Sequence, residues 1–129
     1  MFSLAITAVL ITFLGPPQSC VELVKTFHDL YNRGTSDVTG LLHPDVRKPV
    51  VDSKNWLSDL RRHNGAFIRT VSTGHSISPT SLTSLQVDLW LISDFERGRR
   101  QERFRCVTGL FADARIMEVE IRSMQQPGQ

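Results

Sequence analysis

Apolar residues in the first half of the chain recur with the spacing of amphipathic helices. After Cys20 they fall at i, i+1, i+4, i+7 and i+8, on one helical stripe made of Leu23, Val24, Phe27, Leu30 and Tyr31. Ser19 and Glu22 have the spacing of a capping box at the start of this helix. Gly34 is placed to end it as the C′ residue. The pattern therefore predicts a first helix that buries an aromatic face.

Two further helices and a weak strand are predicted before residue 66. A short helix after Thr35 or Ser36 ends at His43-Pro44, and its apolar residues are Val38, Leu41 and Leu42. Residues 46–51 favour β structure, but Pro49 limits them to an edge strand at most. Ser53 is placed to cap a third helix that ends at Asn64-Gly65. The apolar residues of this helix are Trp56, Leu57 and Leu60.

After Gly65 the period of the pattern changes from 3.6 to 2, which indicates strands. Four are predicted, over residues 67–77, 85–93, 102–111 and 116–124, and the turns between them suit a meander of hairpins. Helices followed by an antiparallel sheet predict an α+β domain in which the helices cover one face of the sheet.

The alternation within two strands predicts which side chains face the helices. One face of the second strand is apolar (Leu85, Val87, Leu89, Leu91) and the other is mixed (Gln86, Asp88, Trp90, Ile92). In the last strand, Met117, Val119 and Ile121 oppose Glu118, Glu120 and Arg122. If the apolar faces pack under the helices, Asp88, Glu118 and Glu120 point away and no strand carboxylate lies in the interior. A β-bulge would invert this assignment locally.

Residues 37–46, with the sequence DVTGLLHPDV, resemble a run that is common in the NTF2-like superfamily, which includes SnoaL-like and ketosteroid-isomerase-like domains. The aromatic stripe with Phe27 and Tyr31 is similar too, and the resemblance covers residues 20–124. It implies a cone in which three N-terminal helices pack on a curved antiparallel sheet of four long strands plus a weak edge strand. Some members are isomerases or dehydratases and many are binding or dimerisation modules, so the fold alone does not assign a function.

The N-terminal residues have the pattern of a secretory signal peptide. Residues 1–15 carry no charged side chain, the apolar run from Leu4 to Leu14 is shorter than a membrane span, and Pro16-Pro17 follow it. We therefore expect a signal peptide over residues 1–19, a secreted domain over 20–124, a frayed tail over 125–129, and no membrane span after cleavage. The alternatives are an uncleaved anchor and a buried N-terminal element.

Composition and charge remove several classes of function. Fifteen Lys and Arg against thirteen Asp and Glu give a net charge of +2, which is no reason to expect a nucleic-acid partner. The chain has no Gly-rich phosphate loop, and no two of its four histidines have metal-ligand spacing on a helix, so we expect neither a cofactor nor a metal. His28 lies at the edge of the helical stripe and is expected to be an ordinary surface or core histidine whose ring nitrogens are hydrogen-bonded. The segment from Asp94 to Arg105, Glu102 included, is expected to be a solvated hairpin tip.

Two functions of different classes stay open. The first is a binding or interaction module with a pocket for a small apolar ligand, whose lining would be Phe27, Tyr31, Trp56, Leu60, Val87, Leu89 and Val119. The same residues would equally make an ordinary packed core. The second is a small isomerase or dehydratase that uses Tyr31 and an acid that the sequence does not identify. No catalytic residue is assigned.

The two cysteines and the outer sheet face each support a structural hypothesis. In an oxidising compartment Cys20 and Cys106 would pair if they meet across the helix–sheet interface; the alternative is a buried free Cys106 and an N-terminal Cys20 that is frayed or removed. Trp90 and Ile92 on the outer sheet face would form a homodimer interface; the alternative is a tryptophan covered by the C-terminal tail.

Overall fold

The computed structural model describes residues 18–34, 38–45, 56–110 and 113–124 of the chain. In order, its elements are helix α1 (Gln18–Arg33), a 3-10 turn (Thr39–Leu41), helix α2 (Trp56–Asn64) and strands β1 (Phe67–Pro79), β2 (Ser84–Phe95), β3 (Gly98–Gly109) and β4 (Arg115–Ser123). The strands form one open antiparallel sheet in the order β1-β2-β3-β4. The predicted α+β class and the meander are therefore confirmed.

Strand β3 begins four residues earlier than predicted, because the hairpin that precedes it is tight. Phe95 pairs with Gly98, so only Glu96 and Arg97 lie between the two strands. Gly98 has φ +133°, a conformation that side chains with a Cβ rarely adopt. The charged residues that follow are thus part of the strand and not of a solvated loop.

The core lies between α1 and one face of the sheet. Val24, Phe27 and Tyr31 of α1 are buried there, as the helical stripe predicts. The sheet contributes the apolar face of β2 and part of β3, namely Val87, Leu89, Leu91, Phe95, Phe104 and Cys106. Full burial of an aliphatic or aromatic side chain stabilises a fold by about 1.5–3 kcal/mol. This face accordingly fixes the register of the meander.

A β-bulge in the last hairpin corrects the predicted inner face of β4. Arg105 pairs with Glu118 but the next residue, Cys106, pairs with Ile116, so Met117 has no partner opposite it. Ile116 consequently replaces Met117 on the inner face and is fully buried. Glu118 still points outward, as predicted, and lies 3.5 Å from Arg105.

The predicted second helix is wrong for the described part of its segment, which forms only the 3-10 turn. Leu42 makes a parallel bridge with Ile116, and the backbone N–H of His43 donates to the carbonyl of Ile116 at 2.9 Å. Since this backbone is held by strand β4, the 3-10 turn ends at Leu41. The third predicted helix is present as α2, which ends at the expected position.

Several predictions fall outside the described residues: most of the signal peptide, the edge strand at 46–51, the cap at Ser53 and the tail at 125–129. In the part of the chain that the structure describes, no helix is both long and apolar enough to cross a membrane.

Side-chain contacts near both ends of α1 attach it to the rest of the domain. Cys20 forms a disulfide with Cys106 of β3, with the two Cα atoms 6.0 Å apart, so the pairing that the sequence left open is present. At the other end of the helix, the amide of Asn32 donates to the carbonyl of Phe67 and accepts from its N–H, both at 2.8 Å. Tyr31 donates to backbone carbonyls at the end of α2.

Candidate functional site

A cleft of about 260 Å³ lies between α1 and the part of the sheet formed by β1 and β2. The β1 residues that pair with the buried Leu91 and Leu89 of β2 are polar, Thr73 and His75, so β1 adds no apolar side chain over these leucines there. The residues that line the cleft are Val21, Val24, Lys25, His28, Thr70, Thr73, Gly74, His75, Leu89 and Leu91.

The cleft combines an apolar floor with a polar rim. Val24, Leu89 and Leu91 are buried and form the floor. Lys25 and His75 are exposed and belong to opposite walls, one on the helix and the other on the edge strand β1. Small-molecule sites have this composition of apolar lining with a few polar groups.

A buried histidine–glutamate pair stands at the wall of the cleft. Nε2 of His28 lies 2.8 Å from Oε2 and 3.1 Å from Oε1 of Glu102. The side chain of Glu102 is 0% exposed and that of His28 is 8% exposed. The imidazole stacks on Phe67, with ring centroids 3.7 Å apart and planes 7° apart. The ring is therefore fixed both by a carboxylate and by an aromatic face.

This pair could hold or move a proton at the cleft. A carboxylate that binds one ring nitrogen fixes the tautomer and orientation of the imidazole, which is how histidine general bases are positioned in many enzymes. A buried polar pair of this kind also stabilises one arrangement of helix and sheet, because each group would be unsatisfied without the other.

The position of Glu102 overturns two expectations from the sequence. It does not belong to a solvated hairpin tip, and the inner face of the sheet does carry a carboxylate. The signal was present in the chain: Glu102 has the same strand parity as Phe104 and Cys106, which are both buried. The arginines nearby suggested a solvated segment, although Arg103 and Arg105 alternate to the opposite face and pair with Asp88 there.

Tyr31 is a structural residue at this interface. Its hydroxyl donates to the carbonyl of Gly65 at 2.6 Å and to that of Leu60 at 3.2 Å. Burial raises the pKa of Tyr31 to about 12. Within the described residues, no side-chain acid forms a hydrogen bond with this hydroxyl. The hydroxyl of Tyr31 thus donates to backbone carbonyls in and just after α2, and is not directed into the cleft.

The structure places the seven residues predicted to line a pocket in three different settings. Leu89 lines the cleft. Phe27, Tyr31 and Val87 lie in the packed core, and Trp56, Leu60 and Val119 are half-buried against it. The Phe27 ring is 5.4 Å from Phe104 and 6.2 Å from Trp56, centroid to centroid. The aromatic side chains of α1 fill the centre of the domain, and the cleft lies beside them.

The outer face of the sheet carries mainly ion pairs. Asp94 accepts from Arg99 at 2.8 Å and from Arg69 at 3.0 Å, and the hydrogen bond from Arg99 lowers the pKa of this carboxyl. Asp88 accepts from Arg105 at 3.1 Å and points outward, as predicted. Trp90 lies among these residues and is 38% exposed, while Ile92 is half-buried.

The described residues contain no group of three or more His, Cys, Asp or Glu side chains that could hold a metal ion. Comparisons with models of protein families, with curated proteins and with solved structures found no match for this chain. The assignment of function therefore depends on the geometry of the cleft.

Proposed function

We propose that this protein is a secreted module that binds a small apolar molecule in the cleft between α1 and strands β1 and β2. The observation that carries the proposal is the buried aliphatic floor of that cleft, formed by Val24, Leu89 and Leu91. An apolar surface that a domain leaves open rather than filled with side chains is typical of a ligand site.

The proposal includes secretion and an NTF2-like cone. Secretion is supported by the apolar residues 1–15 and is compatible with the Cys20–Cys106 disulfide, since disulfides persist in oxidising compartments. The cone is supported by the order of elements, helices followed by a four-stranded meander, and by the position of the cleft on the helix side of the sheet.

Replacement of Leu89 by Phe tests the cleft. In an open cleft the larger ring is accommodated, so Leu89→Phe abolishes uptake of the neutral fluorescent probe Nile red while the urea midpoint stays close to wild type. In a filled core the same change overpacks and lowers the free energy of unfolding by about 1–3 kcal/mol. Ile121→Phe is the matched control, because Ile121 packs against the core from β4 and does not line the cleft. Wild-type protein that takes up no probe contradicts the proposal.

The His28–Glu102 pair supports a second candidate, an enzyme that abstracts a proton from a bound carbon acid. In that function His28 replaces Tyr31 as the acting group, and Glu102 positions the imidazole. The expected result is exchange of the α-protons of a small cyclic ketone in D₂O, followed by NMR, in wild type and not in His28→Gln. No exchange above buffer in the wild type contradicts this candidate.

Homodimerisation through the outer sheet face is proposed as a further property. Trp90 is exposed there. Its cross-strand partner on β3 is Arg103, whose own partner on β4 is Glu120. A second copy related by a two-fold axis would therefore meet both positive and negative charges around the indole ring. Sedimentation of wild type and Trp90→Asp tests it. A wild type that stays monomeric at high concentration contradicts the dimer.

A further inference from the structure

We infer that the cleft selects a small apolar molecule that carries a carboxylate, such as a medium-chain monocarboxylic acid. This inference rests on the proposed binding function and adds the chemical class of the ligand. The polar groups that line the cleft support it.

Among the described residues that line the cleft, the polar side chains are either basic or hydroxylic. Lys25, His28 and His75 supply nitrogen groups, and Thr70 and Thr73 supply hydroxyls. None of the described residues that line it is acidic. The carboxylates of β2 lie elsewhere, since Asp88 and Asp94 are engaged by arginines on the outer face. A site with donors at its rim and no acid complements an anionic head group.

The two exposed basic residues stand on opposite walls, where a head group at the mouth of the cleft would lie between them. Lys25 belongs to α1 and His75 to β1. Nζ of Lys25 lies 3.8 Å from Glu22, but both side chains are more than half exposed. Such surface pairs contribute little to stability, so the ammonium is free to exchange this partner for a ligand.

Glu102, the buried acid nearest to the cleft, does not reverse this charge pattern. It is fully buried, accepts from His28 and does not line the cleft. Glu102 is the cross-strand partner of Leu91, but its side chain is fully buried and bound to the imidazole, so the acid presents no surface to a ligand.

The volume limits the size of the ligand. A cleft of about 260 Å³ is slightly smaller than the roughly 300–1,000 Å³ of sites for drug-sized molecules. The floor of Val24, Leu89 and Leu91 suits an aliphatic tail, and the rim suits one polar head. An unbranched acid of medium chain length satisfies both conditions.

Competition with Nile red tests the inference on the full chain, with decanoate, decanol and decylamine each below its micelle concentration. We expect decanoate to displace the probe at a concentration at least about tenfold lower than decanol, with decylamine weakest, since a charge-assisted hydrogen bond is worth that factor or more. Lys25→Gln and His75→Gln should each reduce the preference for decanoate over decanol. The controls are Arg33→Gln and His63→Gln, exposed residues of the two helices that do not line the cleft.

The outcomes separate the inference from the function on which it rests. Equal displacement by decanoate and decanol, or a preference for decylamine, overturns the inference while probe uptake still supports an apolar site. A preference for decanoate that survives both substitutions also overturns it, because the head group is then held elsewhere. If Nile red is not taken up at all, the proposed function fails together with the inference.

Discussion

Removal of the disulfide should cause a large loss of stability. Cys20 and Cys106 are 86 residues apart in sequence, and the bond closes that loop in the unfolded chain as well as in the folded one. In the chain-entropy model a loop of this length is worth about 4.6 kcal/mol at 25 °C. A single domain has a total stability of about 5–15 kcal/mol, so the double variant Cys20→Ala/Cys106→Ala should lose between about a third and nearly all of it.

The assay is urea unfolding of the wild type and the double variant, with the bond verified by intact mass after alkylation without reductant. Because the crosslink restricts the unfolded ensemble, its removal should also increase the m-value. If the variant is unfolded in buffer, the comparison is repeated in a stabilising osmolyte. Two alkylated thiols in the unreduced wild type, or a loss below about 1 kcal/mol with an unchanged m-value, would refute the reasoning.

Two further predictions concern the buried polar groups of α1. His28→Leu and Glu102→Leu should each lower the free energy of unfolding by about 3–5 kcal/mol, because each leaves a buried partner unsatisfied, and the double variant should recover most of that loss; additive losses in urea unfolding would contradict a coupled pair. Since burial raises the pKa of Tyr31 from 10.0 to about 12, the unfolded chain loses this proton first, and the free energy of unfolding should fall as the pH rises from about 10 towards 12. Tyr31→Phe should reduce that slope, and a phenolate absorbance titration near the unperturbed value would contradict the prediction.

Much of the fold could be predicted because its elements obey simple periodicities. The stripe of α1 and the alternation of β2 each place their apolar residues on the buried side. The errors have local physical causes. A two-residue turn at Glu96-Arg97 lengthened β3, a bulge at Met117 moved Ile116 inward, and a bridge to β4 replaced the short second helix. Turns, bulges and isolated bridges depend on the partner strand, which periodicity within one segment does not encode.

The candidate site was harder to predict because it depends on pairing between distant segments. His28 and Glu102 are 74 residues apart, and neither belongs to a motif. They come into contact only because of the register of β3 under α1. A glutamate among arginines is usually exposed to solvent, but here the alternation of the strand places Glu102 on the buried face. The cleft was also difficult to predict from the sequence, because it results from the small and polar side chains of β1 and not from a recognisable set of lining residues.

The contacts of α1 also bear on how the cleft could bind a ligand. The helix is attached near its start by the Cys20–Cys106 bond, in its middle by His28 to Glu102, and near its end by Asn32 to the backbone of Phe67. Three of the lining residues of α1, Val21, Val24 and Lys25, lie between the first two attachments. A wall held at both ends has little freedom to lose when a ligand enters, and pre-organisation of this kind increases affinity by reducing the entropy lost on binding. Reduction of the disulfide should therefore weaken probe binding under conditions where the domain stays folded, because it releases one end of the wall without removing any residue that lines the cleft.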